Sequence, residues 1–197
     1  HVIPSLTIYD LLKENFQVHI VTDLRGSRYI KNHDYSLIDV PNIFTNLFFL
    51  PYNFIKFCIS IFKSYKYLKS NNFDILISTA TGGSRAFGPF LEMNIDGFKS
   101  SFDKLWGYTN VVRFGAPKLR NSGCIVLVSG TPARKMREGQ VALSAVGGAV
   151  EALSRGIAAE IAPKRINVVA PGIVDTPMVS LTGHDRAAHY QKVTKKH

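Results

Sequence analysis

An α/β fold built on a doubly wound parallel sheet is predicted by three features of this 197-residue sequence. Short apolar runs alternate with longer amphipathic segments, which is the order that parallel sheets with crossover helices require. The best-defined run, Ile166 to Ala170, is almost unbroken, as a strand buried on both faces of such a sheet would be. Pro171-Gly172 then closes that run with turn chemistry, and open α/β sheets bind ligands beyond the carboxyl ends of their strands.

The elements follow in order. Pro4 to Glu14 places Leu6, Leu11 and Leu12 at helical spacing, and Gln17 to Thr22 is a short strand leading into Asp23-Leu24-Arg25-Gly26. Phe44 to Phe62 is aromatic and apolar, but Asn46, Pro51, Asn53 and Lys56 interrupt it, and a membrane-spanning helix needs about 20 predominantly apolar residues. A lysine-dotted helix is predicted over Tyr52 to Ser70, then a strand beginning at Phe73 (FDILIS). Thr81-Gly82-Gly83-Ser84-Arg85 lacks the spacing of a glycine-rich phosphate loop and reads as a flexible connection. Met93 to Leu119 supplies a helix whose Phe98, Phe102, Leu105, Trp106 and Val112 are expected in the core, and Cys124 to Ser129 is the next strand. Ala145, Val146, Ala149, Val150, Leu153, Ile157 and Ile161 share one face of a helix, with Ser144, Glu151, Arg155 and Glu160 largely opposite. Pro163 cannot continue that helix, because it lacks the N–H and its ring clashes with the preceding turn. After Met178 the chain turns polar, with a helix from Asp185.

Composition narrows the class. A hydrophobic fraction of 46% is ample for one core. The net charge of +10 is scattered, and its one tight cluster is Lys192, Lys195 and Lys196 at the end of the chain, so the charge points neither to nucleic acid nor to an anionic membrane surface as a partner. Cys58 and Cys124 both sit in apolar runs and read as buried reduced thiols of a cytoplasmic protein. His33, His184, His189 and His197 have no second ligand at useful spacing, so no metal site is expected. His1 is followed by no charged region with an apolar core, so the expectation is a chain without a signal peptide that begins part-way through something.

The segments AVGGAVEALSRGIAAEIAP, INVVAPG and PGIVDTPM resemble the C-terminal half of the short-chain dehydrogenase/reductase family, over about residues 73–197. The resemblance implies a Rossmann-like fold, NAD or NADP as cofactor and a small-molecule substrate. It assigns Pro171, Gly172, Ile173 and Thr176 to the nicotinamide end of the cofactor. Ser78, Thr79 and Ala80, with Thr81, stand where the family has NNAG, which implies cofactor contact there too. Ser129 falls at the family's catalytic serine or beside it. The family's reactive tyrosine and lysine, YxxxK, correspond to Leu143 and Gly147, and its helix asparagine to Lys104. Neither Leu143 nor Gly147 can exchange a proton, so an impaired oxidoreductase is the leading reading. The resemblance also implies a substrate lid over Gly183 to Lys196 and possible pairing of two copies through the small-residue helix 145–159.

HVIPSLTIYDLLKENFQVHIVTDLRGSR resembles a second family, the N-acetylglucosaminyltransferases that make lipid II for peptidoglycan, and the likeness runs to about Thr79. It implies that His1 faces a catalytic cleft; residues 44–62 read as core residues of a loop and helix packed on the sheet, and contact with the inner face of the membrane is the alternative that this resemblance adds. The chain then divides into a glycosyltransferase-like half, 1–79, and a dehydrogenase-like half, 80–197. Both families order their strands 3-2-1-4, so joining them at strand four keeps the alternation intact. The first strand, central in that order, and the last are missing, so the sheet is expected to be incomplete, with a gap at its centre. A glycosyltransferase fragment and an inactive composite are the alternative readings.

Overall fold

The computed structural model describes residues 2–38, 50–70, 72–79, 84–135, 137–174 and 181–194. Twelve principal elements follow one another: α1 (Val2–Leu12), β1 (Ile20–Thr22), α2 (Leu24–Ser27), β2 (Tyr35–Leu37), α3 (Leu50–Ser70), β3 (Phe73–Ser78), α4 (Ile95–Ser101), α5 (Asp103–Gly115), β4 (Leu119–Val128), α6 (Val141–Glu160), β5 (Arg165–Val169) and α7 (Gly183–Thr194). The alternation expected from the sequence is present, and the described strands form two parallel sheets, β1-β2 and β3-β4-β5. In the first, Ile20 pairs with Tyr35 and Thr22 with Leu37. In the second, Ile125 of β4 lies between Leu76 of β3 and Ile166 of β5.

Among the described residues no further strand joins the two sheets, in keeping with an incomplete fold. A cavity of about 570 Å³ is lined by Leu12, Phe16, Val18 and Val21 together with Phe73, Ile75, Leu76 and Ile77.

Among the described strands β4 alone is paired on both sides, and it is the centre of the core. Ile125 and Leu127 are completely buried, and α5, the turn that follows it and α6 cover them with Tyr108, Val112, Ala116 and Val150. A Cβ on Gly115 would meet Leu76 Cδ2, so a larger residue at the end of α5 requires the Leu76 side chain to shift. On α6 the buried stripe is Ala142, Val146, Gly147, Val150 and Ser154, at spacings of three and four, with the predicted Leu153 and Ile157 beside it.

Four expectations change. β5 is an outer strand, so its residues alternate between exposed and half-buried and Val169 is 51% exposed; it is not buried on both faces. The segment from Met93 to Leu119 forms two helices, with Asn94 capping α4 by accepting from the N–H groups of Asp96 and Gly97. Trp106 is 66% exposed, because α5 turns Leu105, Tyr108 and Val112 toward the sheet and Trp106 lies on the opposite side. Cys58 is exposed on α3 and Cys124 only half-buried, so neither is a core thiol.

α3 is apolar on its outer side. Phe54, Ile55, Ile59, Ile61, Phe62 and Tyr65 are each about half exposed or more, while Asn53, Ser60 and Ser64 are half-buried.

Two α6 glycines predict opposite responses to alanine. Each substitution gains helix propensity, about 1 kcal/mol. At Gly156 nothing lies within 4 Å of the added Cβ, so Gly156→Ala is expected to stabilise by about 0.5–1 kcal/mol. At Gly147 the Cβ meets Ala133 Cβ at 2.8 Å, and overpacking of about 1–3 kcal/mol outweighs the propensity gain. Urea denaturation of the two variants checks the pair; equal shifts in midpoint would show that α6 does not press on Ala133.

Candidate active site

The site is assembled where β4 and β5 end. Ser129 continues the ladder past β4, its N–H donating to Val169 O at 2.8 Å. Two residues on, Thr131 donates to Pro171 O from its N–H, at 3.1 Å, and from its hydroxyl, at 2.9 Å. Arg134 then donates to both carboxylate oxygens of Glu151, at 3.1 and 3.2 Å, which ties the turn 131–135 to α6. The loops after the two strands are thus held together, and they open onto a cavity of about 280 Å³.

Three further segments close it. α5 contributes Lys104. The segment from Ser84 is held over α4 by Ala86 N–H, which donates to Ser101 Oγ at 3.0 Å, and this brings Arg85 to the rim. Ala86 and Met93 pack on Ala142 of α6, and Gly88 N–H donates to Gly139 O at 3.0 Å. Gly139 has φ +73°, a left-handed turn that a side chain would strain, and that turn sets Arg137 and Gln140 against the cavity.

Its electrostatics are one-signed. Arg85, Lys104 and Arg137 line the cavity, and among the described residues no aspartate or glutamate does. Lys104 Nζ lies 3.5 Å from Ser129 O and 5.5 Å from the centre of the Tyr108 ring. Burial, reinforced by the nearby Arg85 cation, pulls the Lys104 ammonium down to about 8. Tyr108 is pushed up to about 12, chiefly by burial, although its hydroxyl donates to Val128 O at 2.7 Å. Gln140 Oε1 is buried with no hydrogen-bond partner among the described residues.

The residues singled out from the sequence fare differently. Ser129, Pro171, Gly172 and Ile173 come together in the cavity wall, with Leu143, Gly147 and Lys104 beside them. Ser129 is 6% exposed and its hydroxyl donates to Gly147 O at 3.3 Å. Ser78 and Thr79 are not in that wall: Ser78 is buried at the end of β3, and the Thr79 hydroxyl shares a hydrogen bond with Ser5 of α1. His1, Ala80 and Thr176 lie outside the described residues, as do Thr81 to Gly83 and the first part of 44–62. Sequence reasoning missed Arg85, Arg137 and Gln140. No motif carries them, and a cluster of cations from separate segments leaves no local spacing to find.

A family model described as enoyl-(acyl carrier protein) reductase matches residues 64–197, more than half of the chain. The chain belongs to the short-chain dehydrogenase/reductase family. This match starts within α3 and includes β3.

Among solved structures, this dehydrogenase-family chain is similar to a small-chain dehydrogenase in complex with NADPH, with TM-score 0.63 and 24% identity over 91% of this chain and 82% of that one. A short chain dehydrogenase family protein from Francisella tularensis subsp. tularensis SCHU S4 gives TM-score 0.64 and 17% identity over 99% of this chain and 72% of that one. Both show the Rossmann-like fold. Among curated proteins, a 3-oxoacyl-[acyl-carrier-protein] reductase of Rattus norvegicus is 40% identical over 76 residues, 38% of this chain and 31% of that protein. The UDP-N-acetylglucosamine--N-acetylmuramyl-(pentapeptide) pyrophosphoryl-undecaprenol N-acetylglucosamine transferase of Pelagibacter ubique (strain HTCC1062) is also 40% identical, over 81 residues, 40% of this chain and 23% of that protein. The chain spans less than a third of the length of either curated relative.

Proposed function

We propose that this chain binds a nicotinamide dinucleotide, NAD or NADP, with the nicotinamide end in the cavity beyond β4 and β5, and that it is an impaired oxidoreductase for a small-molecule substrate. The observation that carries the reading is the position of the cavity, lined by Ser129 to Pro132 and Pro171 to Ile173 at the carboxyl ends of two adjacent parallel strands. The residues fit that end of the cofactor. Pro132, Leu143, Val146 and Ile173 offer apolar walls to a flat ring, and the Cβ position of Gly172 has no atom within 4 Å, which leaves its backbone open to approach.

When bound, the cofactor supplies or takes up a hydride. The proton must come from the protein. Leu143 has no ionisable group and Gly147 no side chain, while the Ser129 hydroxyl is directed at Gly147 O. A positioned general acid contributes about 10²–10⁴ in rate, and turnover is expected to be lower by that order than in a family member carrying both residues.

A thermal melt tests the binding. A nucleotide at about 100 times its Kd adds about 2.7 kcal/mol, which for a chain of this size raises Tm by about 5–10 °C. A cooperative transition raised by NADH or NADPH supports the reading. A transition that neither nucleotide moves at millimolar concentration sinks it.

The outer side of α3 favours a second reading, peripheral contact with an anionic membrane surface. Its 21 residues hold Lys56, Lys63, Lys66 and Lys69 and no acidic residue, beside the exposed Phe54, Ile55, Ile61 and Phe62. Apolar burial and roughly 1 kcal/mol per lysine near an anionic surface act together. The chain is expected to sediment with phosphatidylglycerol vesicles, less with phosphatidylcholine and less at high salt; Phe54→Ser/Phe62→Ser is expected to release it. Equal sedimentation with both lipids would remove the electrostatic part of the reading.

A further inference from the structure

We propose that Lys104 Nζ is a nucleophile and that the cavity beyond β4 and β5 captures a small aldehyde or ketone with an apolar substituent, holding it covalently as an imine. The placing of the amine comes first. Lys104 is a half-buried residue of α5 and lines the cavity of about 280 Å³. Among the described residues its Nζ makes one long hydrogen bond, 3.5 Å to Ser129 O, and lies 5.5 Å from the centre of the Tyr108 ring. A carbonyl accepts from a neutral amine as it does from an ammonium, so the contact with Ser129 survives loss of the proton.

Lysines that condense with carbonyl compounds near neutral pH are those desolvated in a pocket or set beside another cation. Both conditions hold here. Burial is the larger influence and the Arg85 cation the second, and together they pull the ammonium down to about 8. The other titratable groups around it do not share that range. Arg85, on the segment from Ser84, and Arg137, on the turn before α6, stay charged, and Tyr108 on the same helix ionises only near 12. The ends of β4 and β5, the loop 171–173 and α6 contribute no titratable side chain to the described lining.

At pH 7 an amine at about 8 is about one-tenth unprotonated, against about three parts in ten thousand for one at 10.5. Lower basicity also slows a nucleophile, by about tenfold over this range on the slope known for thiolates. The net advantage over an ordinary lysine is therefore about twentyfold.

The walls select the partner. Pro132, Leu143, Val146 and Ile173 line the same space and suit a short carbon chain. At about 280 Å³ the cavity falls just below the pockets of drug-sized ligands, about 300–1,000 Å³, which favours a small compound. In the capture the Nζ lone pair forms the C–N bond, and the carbonyl oxygen leaves as water with the two protons of the neutral amine. No oxidant or reductant is consumed. This chemistry does not depend on the nicotinamide reading.

The test exposes the full chain, without nucleotide, to butanal and cyanoborohydride, which reduces each imine to a stable secondary amine. Peptide mass spectrometry then follows every lysine, with the exposed Lys63 and Lys99 as internal reference. At pH 7 Lys104 is expected to be modified about tenfold faster than either, or more, and the ratio to fall as pH rises to 10, where ordinary amines also lose their protons. Modification of Lys104 is expected to saturate with butanal concentration. Butyramide, of similar shape but not electrophilic, is expected to slow it and to leave Lys63 and Lys99 unchanged. Lys104 reacting no faster than the reference lysines at pH 7, or a ratio that does not fall with pH, would overturn the nucleophile. Glyceraldehyde reacting at Lys104 as fast as butanal, or butyramide without effect, would overturn capture by the apolar cavity.

Discussion

Tyr108→Ala is expected to destabilise the fold by about 3–5 kcal/mol, the range for truncating a large buried aromatic side chain. Tyr108 is 1% exposed and sits among Val112, Ile125, Leu127 and Val150, where α5 and α6 meet over the central strand. Its hydroxyl also satisfies Val128 O at the strand end that opens into the cavity. Domains of ordinary stability have about 5–15 kcal/mol in total, so this one change removes a large share. Tyr108→Phe separates the two contributions. It keeps the ring and loses only the hydrogen bond, so about 1–2 kcal/mol is expected. Urea denaturation reads both variants. A phenylalanine variant as unstable as the alanine variant would mean that the hydroxyl, not the ring, secures α5 to the sheet.

Lys104→Met is expected to make the chain more stable at neutral pH. The ammonium lies at about 8 in the folded chain against 10.5 ordinarily, so at pH 7 it is charged in both states and folding carries the full penalty of burying it. The penalty is about 1–2 kcal/mol, less than the whole displacement implies because the group is still partly solvated, and it corresponds to about 2–8 °C in Tm. Between about pH 8 and 10.5 the unfolded chain binds the proton that the folded chain has lost. The native protein therefore gains stability with rising pH through that window, and the methionine variant does not. The difference between them closes near pH 10.5. Melts at pH 7, 9 and 10.5 measure it, and a gap that stays constant with pH would show that methionine acts by packing alone.

Much of the order of elements was legible, and for a local reason. α6 is written in its own spacing, its end in Pro163 and β5 in the run that follows, because helix periodicity and proline stereochemistry act over a few residues. The placing of Leu143 and Gly147 one turn apart on that helix is equally local. Their surroundings are not: whether Gly147 has room depends on Ala133, which belongs to another segment.

The limits appear where hydrophobicity is read without direction. Trp106 and Tyr108 are two residues apart on one helix, so they point to nearly opposite sides, and only the position of the sheet decides which is buried. α3 is the stronger case. Its sequence shows an apolar stripe and lysines, but not that Asn53, Ser60 and Ser64 turn inward while Phe54, Ile61 and Phe62 face out.

By itself the sequence determined the family, the alternation of strand and helix and the loop beyond β5, since each is a short-range pattern in one segment. Only the tertiary structure decided that Arg85, Lys104, Arg137 and Gln140 surround one cavity. Their arrangement depends on how β4 and β5 end together and on how the Ser84 segment is strapped over α4 and α6, and long-range packing of that kind leaves no spacing in the chain to read.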